Sequence, residues 1–343
     1  MKHSFWMKSK TIAFINNILK PIKSITYFQS SIHKCTFAPL NCNEISMDQS
    51  FVRGKILFLI NPISGTKHKE HLPGIIAELT DSDIFDVETV VTKYKGEATE
   101  IVRQKLIENY KYFVAVGGDG TVNEIAKALI NTNAILGILP VGSGNGLARH
   151  LQIPLEPRKA IQLINKQKYQ AIDYGLINKM PFFCTCGVGF DALIGEKFAQ
   201  CKGRGLSNYV KTTIAEYFNY KPEIYKITVD NGKKFNVPAF LITFANGSQY
   251  GNNAYIAPNA DISDGQLDIC IISPFKLYKA PGIGIRLFAK SIDKSSFMRT
   301  ERGSNIVLER AAEGVIHFDG EPCKMGKRLE ITLVNKGLNV FVP

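Results

Sequence analysis

The residues of this chain best placed to do chemistry sit among glycines. Gly117-Gly118-Asp119-Gly120-Thr121 stands between an apolar, strand-like run ("YFVAV", 112–116) and a helix-like one. Glycines in series cost backbone entropy, so the turn must need positive φ or a close approach by something else. Bare backbone N–H groups at the start of a helix form a cradle for an anion. A carboxylate inside such a cradle, Asp119, makes sense when a metal ion or a hydroxyl proton comes between it and the anion. The plainer alternative is a tight turn with Asp119 as N-cap. Two further polar glycine turns weigh against it, Asn61-Pro62-Ile63-Ser64-Gly65 and Gly142-Ser143-Gly144-Asn145-Gly146, each following an apolar run. Near the C-terminus Asp319-Gly320-Glu321 brings two more carboxylates, or simply turns between strands. Asp261, Asp264 and Asp268 make an acidic turn too short and irregular for an EF-hand.

The elements that must position these residues alternate. "KILFLI" (55–60), "DVETVVT" (86–92), "YFVAV" and "AILGILP" (134–140) read as strands, with helices over Leu72–Leu79, Glu97–Asn109 and Thr121–Asn131. Apolar strands separated by amphipathic helices predict a doubly wound parallel sheet, with ligands at the carboxyl ends of its strands. All three glycine turns fall at those ends. After about Gln170 the pattern becomes mostly antiparallel β, with helices only near 206–218 and 277–292, and a cleft between the halves is expected. The fold class is therefore α/β plus β. Gly187-Val188-Gly189-Phe190-Asp191-Ala192 fits GxGxxA formally, but no βαβ unit surrounds it. No GxxxxGK[ST] loop is present, which argues against a P-loop enzyme.

The chain has 343 residues and a formal net charge of +12, which favours anionic partners. No stretch has the eighteen or so uninterrupted apolar residues of a spanning helix. Its seven cysteines lack CxxC pairs and zinc spacing, as expected of reduced, buried thiols. Cys184 and Cys186, two apart in a strand-like run, are expected to share a face. Residues 1–46 are atypically basic. An upstream segment before a start at Met47, a membrane-surface or targeting segment, and a disordered tail all remain open readings for them. Between Phe275 and Arg302, seven basic residues interleave with apolar ones. Contact with anionic lipid and a helix docked on the sheet stand as equal alternatives there.

"NPISG", "GGDGTVNEIA", "LPVGSGNGLAR", "GVGFDA", "DGQLD" and "FDGE" occur in this order. Together they resemble the diacylglycerol kinase and sphingosine kinase superfamily of lipid kinases over about Lys55 to Pro343. The TPTGSTAY-like segment of NAD kinases is absent. The resemblance implies a nucleotide-binding domain over 51–174. It also implies a β-rich lipid-substrate domain over 175–343, with its last strands free to return to the first. It implies an ATP site at Asn61, Pro62, Ser64, Gly65, Thr92, Gly118, Asp119, Gly120, Thr121, Asn123, Glu124 and Ser143, with Mg²⁺ held by Asp119. Glu321 is the implied proton acceptor, with Asp119 as its rival. Asp191 matches the position that reads the sphingoid head group in sphingosine kinases. Asp261, Asp264 and the Gln266 carbonyl match a structural Mg²⁺ turn of bacterial relatives. The implied activity is ATP-dependent phosphorylation of a lipid hydroxyl by a cytoplasmic, peripherally membrane-associated enzyme, with a homodimer left open and no nucleic-acid partner. An NAD kinase-like enzyme and a nucleotide-responsive membrane regulator without turnover are the alternatives.

Overall fold

Apolar runs without polar interruption are buried on both faces when they form a parallel sheet, and the first half of the chain does this. The computed structural model describes residues 53–65, 70–200, 213, 215–230 and 232–343. The basic extension over 1–46 and most of the helix expected over 206–218 lie outside the described residues. Strands β1 (Gly54–Ile60), β2 (Phe85–Val91), β3 (Tyr112–Gly117) and β4 (Ile135–Pro140) pair in parallel in the order β2-β1-β3-β4. Every residue of β3 and β4 is buried. Full burial of each Val, Leu or Ile there is worth about 1.5–3 kcal/mol. Helices α1 (Leu72–Leu79), α2 (Glu97–Ile107), α3 (Asp119–Leu129), α4 (Gly146–His150) and α5 (Pro157–Asn165) accompany the sheet. In α3 the buried Val122, Ile125, Ala126 and Leu129 recur at helical spacing. Asn131, at φ 57°, turns the chain out of that helix and donates its N–H to Gly337 O at 2.7 Å. α3 starts two residues earlier than its periodicity predicts, so Asp119 lies in the first helical turn.

The second half supplies β5 (Tyr169–Ile177), β6 (Met180–Phe182), β7 (Thr185–Gly189), α6 (Phe190–Gln200), β8 (Glu223–Val229), β9 (Lys233–Ala239), β10 (Leu241–Ala245), β11 (Leu267–Ile272), α7 (Ala280–Phe288), β12 (Met298–Gly303), β13 (Asn305–Glu309), β14 (Gly314–Phe318), β15 (Glu321–Met325) and β16 (Arg328–Phe341). A six-stranded antiparallel sheet runs β12-β11-β10-β7-β14-β15. It packs against β8, β13 and β16 through Tyr225, Ile227, Ile306, Leu308 and Ile331 on one side and Ile242, Phe244, Ile269 and Ile316 on the other. α6 does not follow from the sequence pattern, because Gly187 and Gly189 just before it mask where helical periodicity begins. The helix expected over 277–292 is limited to α7 and short 3₁₀ turns.

β16 joins the halves. Its start pairs antiparallel with β13, and Asn339 and Val340 run parallel to β4, so the parallel sheet continues into the sandwich as one ten-stranded sheet. Phe341 stacks on Tyr112 with centroids 5.7 Å apart. Cys184 and Cys186 do not share a core. Cys184 precedes β7 and packs with the first half, whereas Cys186 packs inside the sandwich.

Candidate active site

The turns after β1, β3 and β4 meet backbone to backbone. A Cβ on Gly142 would lie 2.3 Å from Gly118 Cα, so a side chain there would drive the two turns apart. Gly65, at φ 72°, approaches Val141 O so closely that a Cβ would stand 2.1 Å from it. Asn61 Nδ2 donates to Thr121 Oγ1 at 3.1 Å, Asn61 Oδ1 accepts from Ile63 N at 3.0 Å, and Ser64 Oγ donates to Asn61 O at 3.1 Å. Thr92, just beyond β2, is buried and donates Oγ1 to Ile60 O at 3.3 Å. Pro62, Gly120 and Ser143 are exposed at the mouth. The first and third turns and the start of α3 thus form one cradle of bare backbone.

Asp119 clamps this cradle. Its Oδ2 accepts from Asn145 N at 2.8 Å and its Oδ1 from Gly146 N at 2.6 Å, where α4 begins. It therefore joins two turns rather than capping its own helix. Burial raises its pKa; the amides of Gly146 and Asn145 oppose that rise, and nearby Asp319 adds to it. Asn145 is left-handed at φ 54°, and its buried Oδ1 has no hydrogen-bond partner. An orphaned acceptor beside a cradle that a Cβ would fill fits a bound group carrying donors, such as a hydrated cation on a phosphate. Asn145 stood in the sequence motif, but its type alone carries no signal that its side chain is left over.

Asp319, in the tight turn between β14 and β15, closes the gap between the halves. Its Oδ2 accepts from Asn123 Nδ2 at 2.7 Å and Phe183 N at 2.8 Å; its Oδ1 accepts from Cys184 N at 2.8 Å and Thr185 N at 3.1 Å. Burial still raises its pKa against these bonds. Glu321, two residues on, reaches back over α3: a Cβ on Gly120 would lie 3.8 Å from its Oε1. That oxygen is 3.0 Å from Lys95 Nζ. Glu124 accepts from Gly96 N at 3.0 Å, and burial raises its pKa. Lys95 and the anchoring role of Asp319 escape sequence reasoning, because each depends on a contact across the cleft.

The cleft between α3, α4 and the sandwich is lined by Asp119, Asn123, Leu147, Cys184, Tyr250 and His317, among others. Burial, then Asp319 and Asp119, push the Cys184 thiol well up, so it stays protonated and unreactive. Asp191 lies behind the cleft wall, bonded to His317 and Tyr250. Neither of these belongs to a motif, so no sequence signal marks them. In the turn expected either to hold a structural Mg²⁺ or to be a metal-free Asp-Gly turn, the carboxylates already have donors within the protein. Asp261 accepts from Ser263 N and Oγ, Gln266 N donates to Asp264, and Arg302 pairs with both Asp264 and Asp268. The Asp261 and Asp264 carboxylates thus accept from their own loop and, at Asp264, from a guanidinium that supplies positive charge. Among the described residues no group of three or more His, Cys, Asp or Glu is arranged to hold a metal. The melting temperature of the nucleotide-free protein is therefore expected to be the same in EDTA and in Mg²⁺. A clear fall in EDTA would show an ion in that turn after all.

Raised carboxylate pKa values also set an expected pH dependence. Asp119 and Asp319 take up protons above the ordinary aspartate value of about 3.9. kcat/KM should therefore fall on acidification through a window above that value, and a profile flat down to about pH 4 would refute it. Stability runs the other way. A folded pKa above the unfolded one means the folded state binds protons more readily. These two groups thus cost no stability below the unfolded pKa, and their cost grows as pH rises through the folded pKa.

Residues 55–177 match the diacylglycerol kinase catalytic domain, and residues 184–341 match the YegS C-terminal NAD kinase beta sandwich-like domain. Together these two domains are those of a phosphotransferase with an alcohol group as acceptor. The chain belongs to the diacylglycerol kinase-type lipid kinases with a YegS C-terminal domain. A Pseudomonas aeruginosa protein named "Probable lipid kinase YegS-like" is 31% identical over 265 residues, covering 74% of this chain and 83% of that one. A Mycobacterium tuberculosis "Diacylglycerol kinase" is 29% identical over 300 residues, 84% of this chain and 96% of its own. The crystal structure of a diacylglycerol kinase from Bacillus anthracis shares the fold with a TM-score of 0.64 at 22% identity, covering 84% of this chain and 97% of that one. Another crystal structure from that organism, at 25% identity and the same coverage, has a TM-score of 0.69. Among the described residues no helix is long and apolar enough to cross a membrane.

Proposed function

We propose that this chain transfers the γ-phosphoryl group of ATP to a lipid hydroxyl with the help of Mg²⁺. The observation that carries this reading is the meeting of Glu321 with the start of α3 beside the glycine cradle. The backbone of Gly118, Gly120, Gly142 and Gly65 offers room for phosphates, with Asn61, Ser64 and Ser143 beside it and Thr121 buried against Gly117. Asp119 and Asn145 would hold Mg²⁺, which would neutralise phosphate charge. Because both Asp119 oxygens already accept backbone N–H groups, Glu321 is the better proton acceptor. It takes the proton of the lipid hydroxyl as that oxygen bonds to the terminal phosphorus. The bond from this phosphorus to its bridging oxygen breaks, and ADP leaves. Such a transfer depends more on positioning and charge neutralisation than on covalent chemistry.

Peripheral membrane contact is part of the same proposal. α7 buries Ile283 in the core but leaves Ile285 and Phe288 exposed, with Tyr278 just before it. Exposed Lys276, Lys279, Lys290 and Lys294 flank them in the chain. Exposed apolar side chains with lysines nearby in the chain complement an anionic bilayer surface.

The test gives the protein γ-labelled ATP, Mg²⁺ and diacylglycerol, monoacylglycerol, sphingosine, ceramide or phosphatidylglycerol in neutral or anionic mixed micelles, with NAD in a parallel tube. Label in a lipid, greater on anionic micelles, is the expected result. Label in NAD alone would overturn the lipid assignment. ATP binding with no labelled product would leave a regulator without turnover.

A further inference from the structure

The acceptor side of the cleft has a polar wall that the phosphate cradle does not account for. Strand register sets Thr243 of β10, Gly187 of β7 and His317 of β14 side by side. A Cβ on Gly187 would stand 2.9 Å from His317 Nε2 and 3.1 Å from Asp191 Oδ2, so bare backbone lets these two groups meet above the strand. They are 3.0 Å apart, with His317 almost wholly buried. Asp191 Oδ2 also accepts from Tyr250 Oη at 3.1 Å and Thr243 Oγ1 at 3.2 Å, and its Oδ1 accepts from Ala192 N at 2.8 Å. Both carboxylate oxygens thus accept bonds within the protein, and Asp191 stands behind His317 and Tyr250, which line the cleft. Asp119 and Asp319 have likewise given their oxygens to donors within the protein. Among the described residues His317 Nδ1 has no partner.

We infer that His317 determines which acceptor is used, by way of its Nδ1. With Nε2–H donated to Asp191, Nδ1 is left as a hydrogen-bond acceptor in the cleft. It receives a hydrogen bond from a hydroxyl or amine carried on the carbon beside the hydroxyl to be phosphorylated. Asp191 acts through His317 as a positioning residue, holding the ring and its tautomer. A site built to pair with a donor rejects an analogue lacking it, because its own polar atom is then left unpaired. This inference rests on the lipid-kinase reading above.

The experiment compares kcat/KM for a 1-monoacylglycerol, which has a free vicinal hydroxyl, with that for a 1,2-diacylglycerol, in wild type and His317→Leu. Melting curves check the fold, and KM for ATP is measured alongside. The ratio between the two lipids should fall about tenfold in the variant, the worth of one hydrogen bond, with KM for ATP unchanged. An unchanged ratio in a folded variant overturns the inference. If His317→Leu does not fold, imidazole ¹⁵N spectra of the wild type decide. An unprotonated Nδ1 whose signal moves on adding monoacylglycerol supports the assignment, and a protonated Nδ1 or a signal that does not move overturns it. Should neither lipid be phosphorylated while that signal still moves, the kinase reading falls and the acceptor-binding role of His317 stands.

Discussion

Glu321→Gln is expected to lower kcat by about 10²- to 10⁴-fold, the range for losing a positioned proton acceptor. KM for ATP should change little, because glutamine keeps the size of the side chain that packs over Gly120. The geometry makes this a clean test. Glu321 Oε1 is held by Lys95 at 3.0 Å, and Glu321 is partly exposed at the rim, so the substitution leaves no buried group without a partner. Steady-state kinetics with saturating lipid give the answer, and melting curves check the fold. A kcat within a few fold of wild type would remove Glu321 from proton transfer and return that role to Asp119.

Asp319→Ala should cost both stability and activity. It leaves Asn123 Nδ2 and the amides of Phe183, Cys184 and Thr185 without their acceptor. Each buried donor left unpaired costs about 1–3 kcal/mol, although the four will not add fully. Asp319 also sits at φ 46°, a conformation that asparagine tolerates and alanine does not. Asp319→Asn is therefore expected to be milder in stability. It should still lose activity, since its NH₂ would face a backbone N–H and shift the turn that carries Glu321. Urea unfolding and kcat of both variants check this. An alanine variant as stable as wild type would show that Asp319 does not tie the halves together.

Much of this architecture was legible in the chain. β1 to β4 could be read because a parallel sheet leaves unbroken apolar runs, and the helices between them because burial on one face imposes a 3.6-residue period. The glycine turns were legible for a different reason: only backbone without side chains permits the approach of Gly142 to Gly118. α6 was not legible, since the glycines before it and the aromatic Phe190 at its start are signals that local pattern cannot separate from a strand end. Nor could the broken helix around α7 be read, because glycines and a proline interrupt its period.

The sequence by itself determined which residues could cradle a phosphate and the order in which they come. It also placed Asp119, Asp319, Glu321 and Asp191 in motifs. What each carboxylate does was decided only by tertiary structure, because that depends on which donors surround it. Asp119 became a clamp because α4 turns its first amides toward it. Asp319 became an anchor because the link between β6 and β7, with the first residue of β7, presents three amides in a row. Asp191 was placed behind His317 by the register of three strands, and Arg302 filled the acidic turn from β12. These partners lie 26 to 136 residues away along the chain. Local pattern has no access to such distances; the packing of two sheets brings them together.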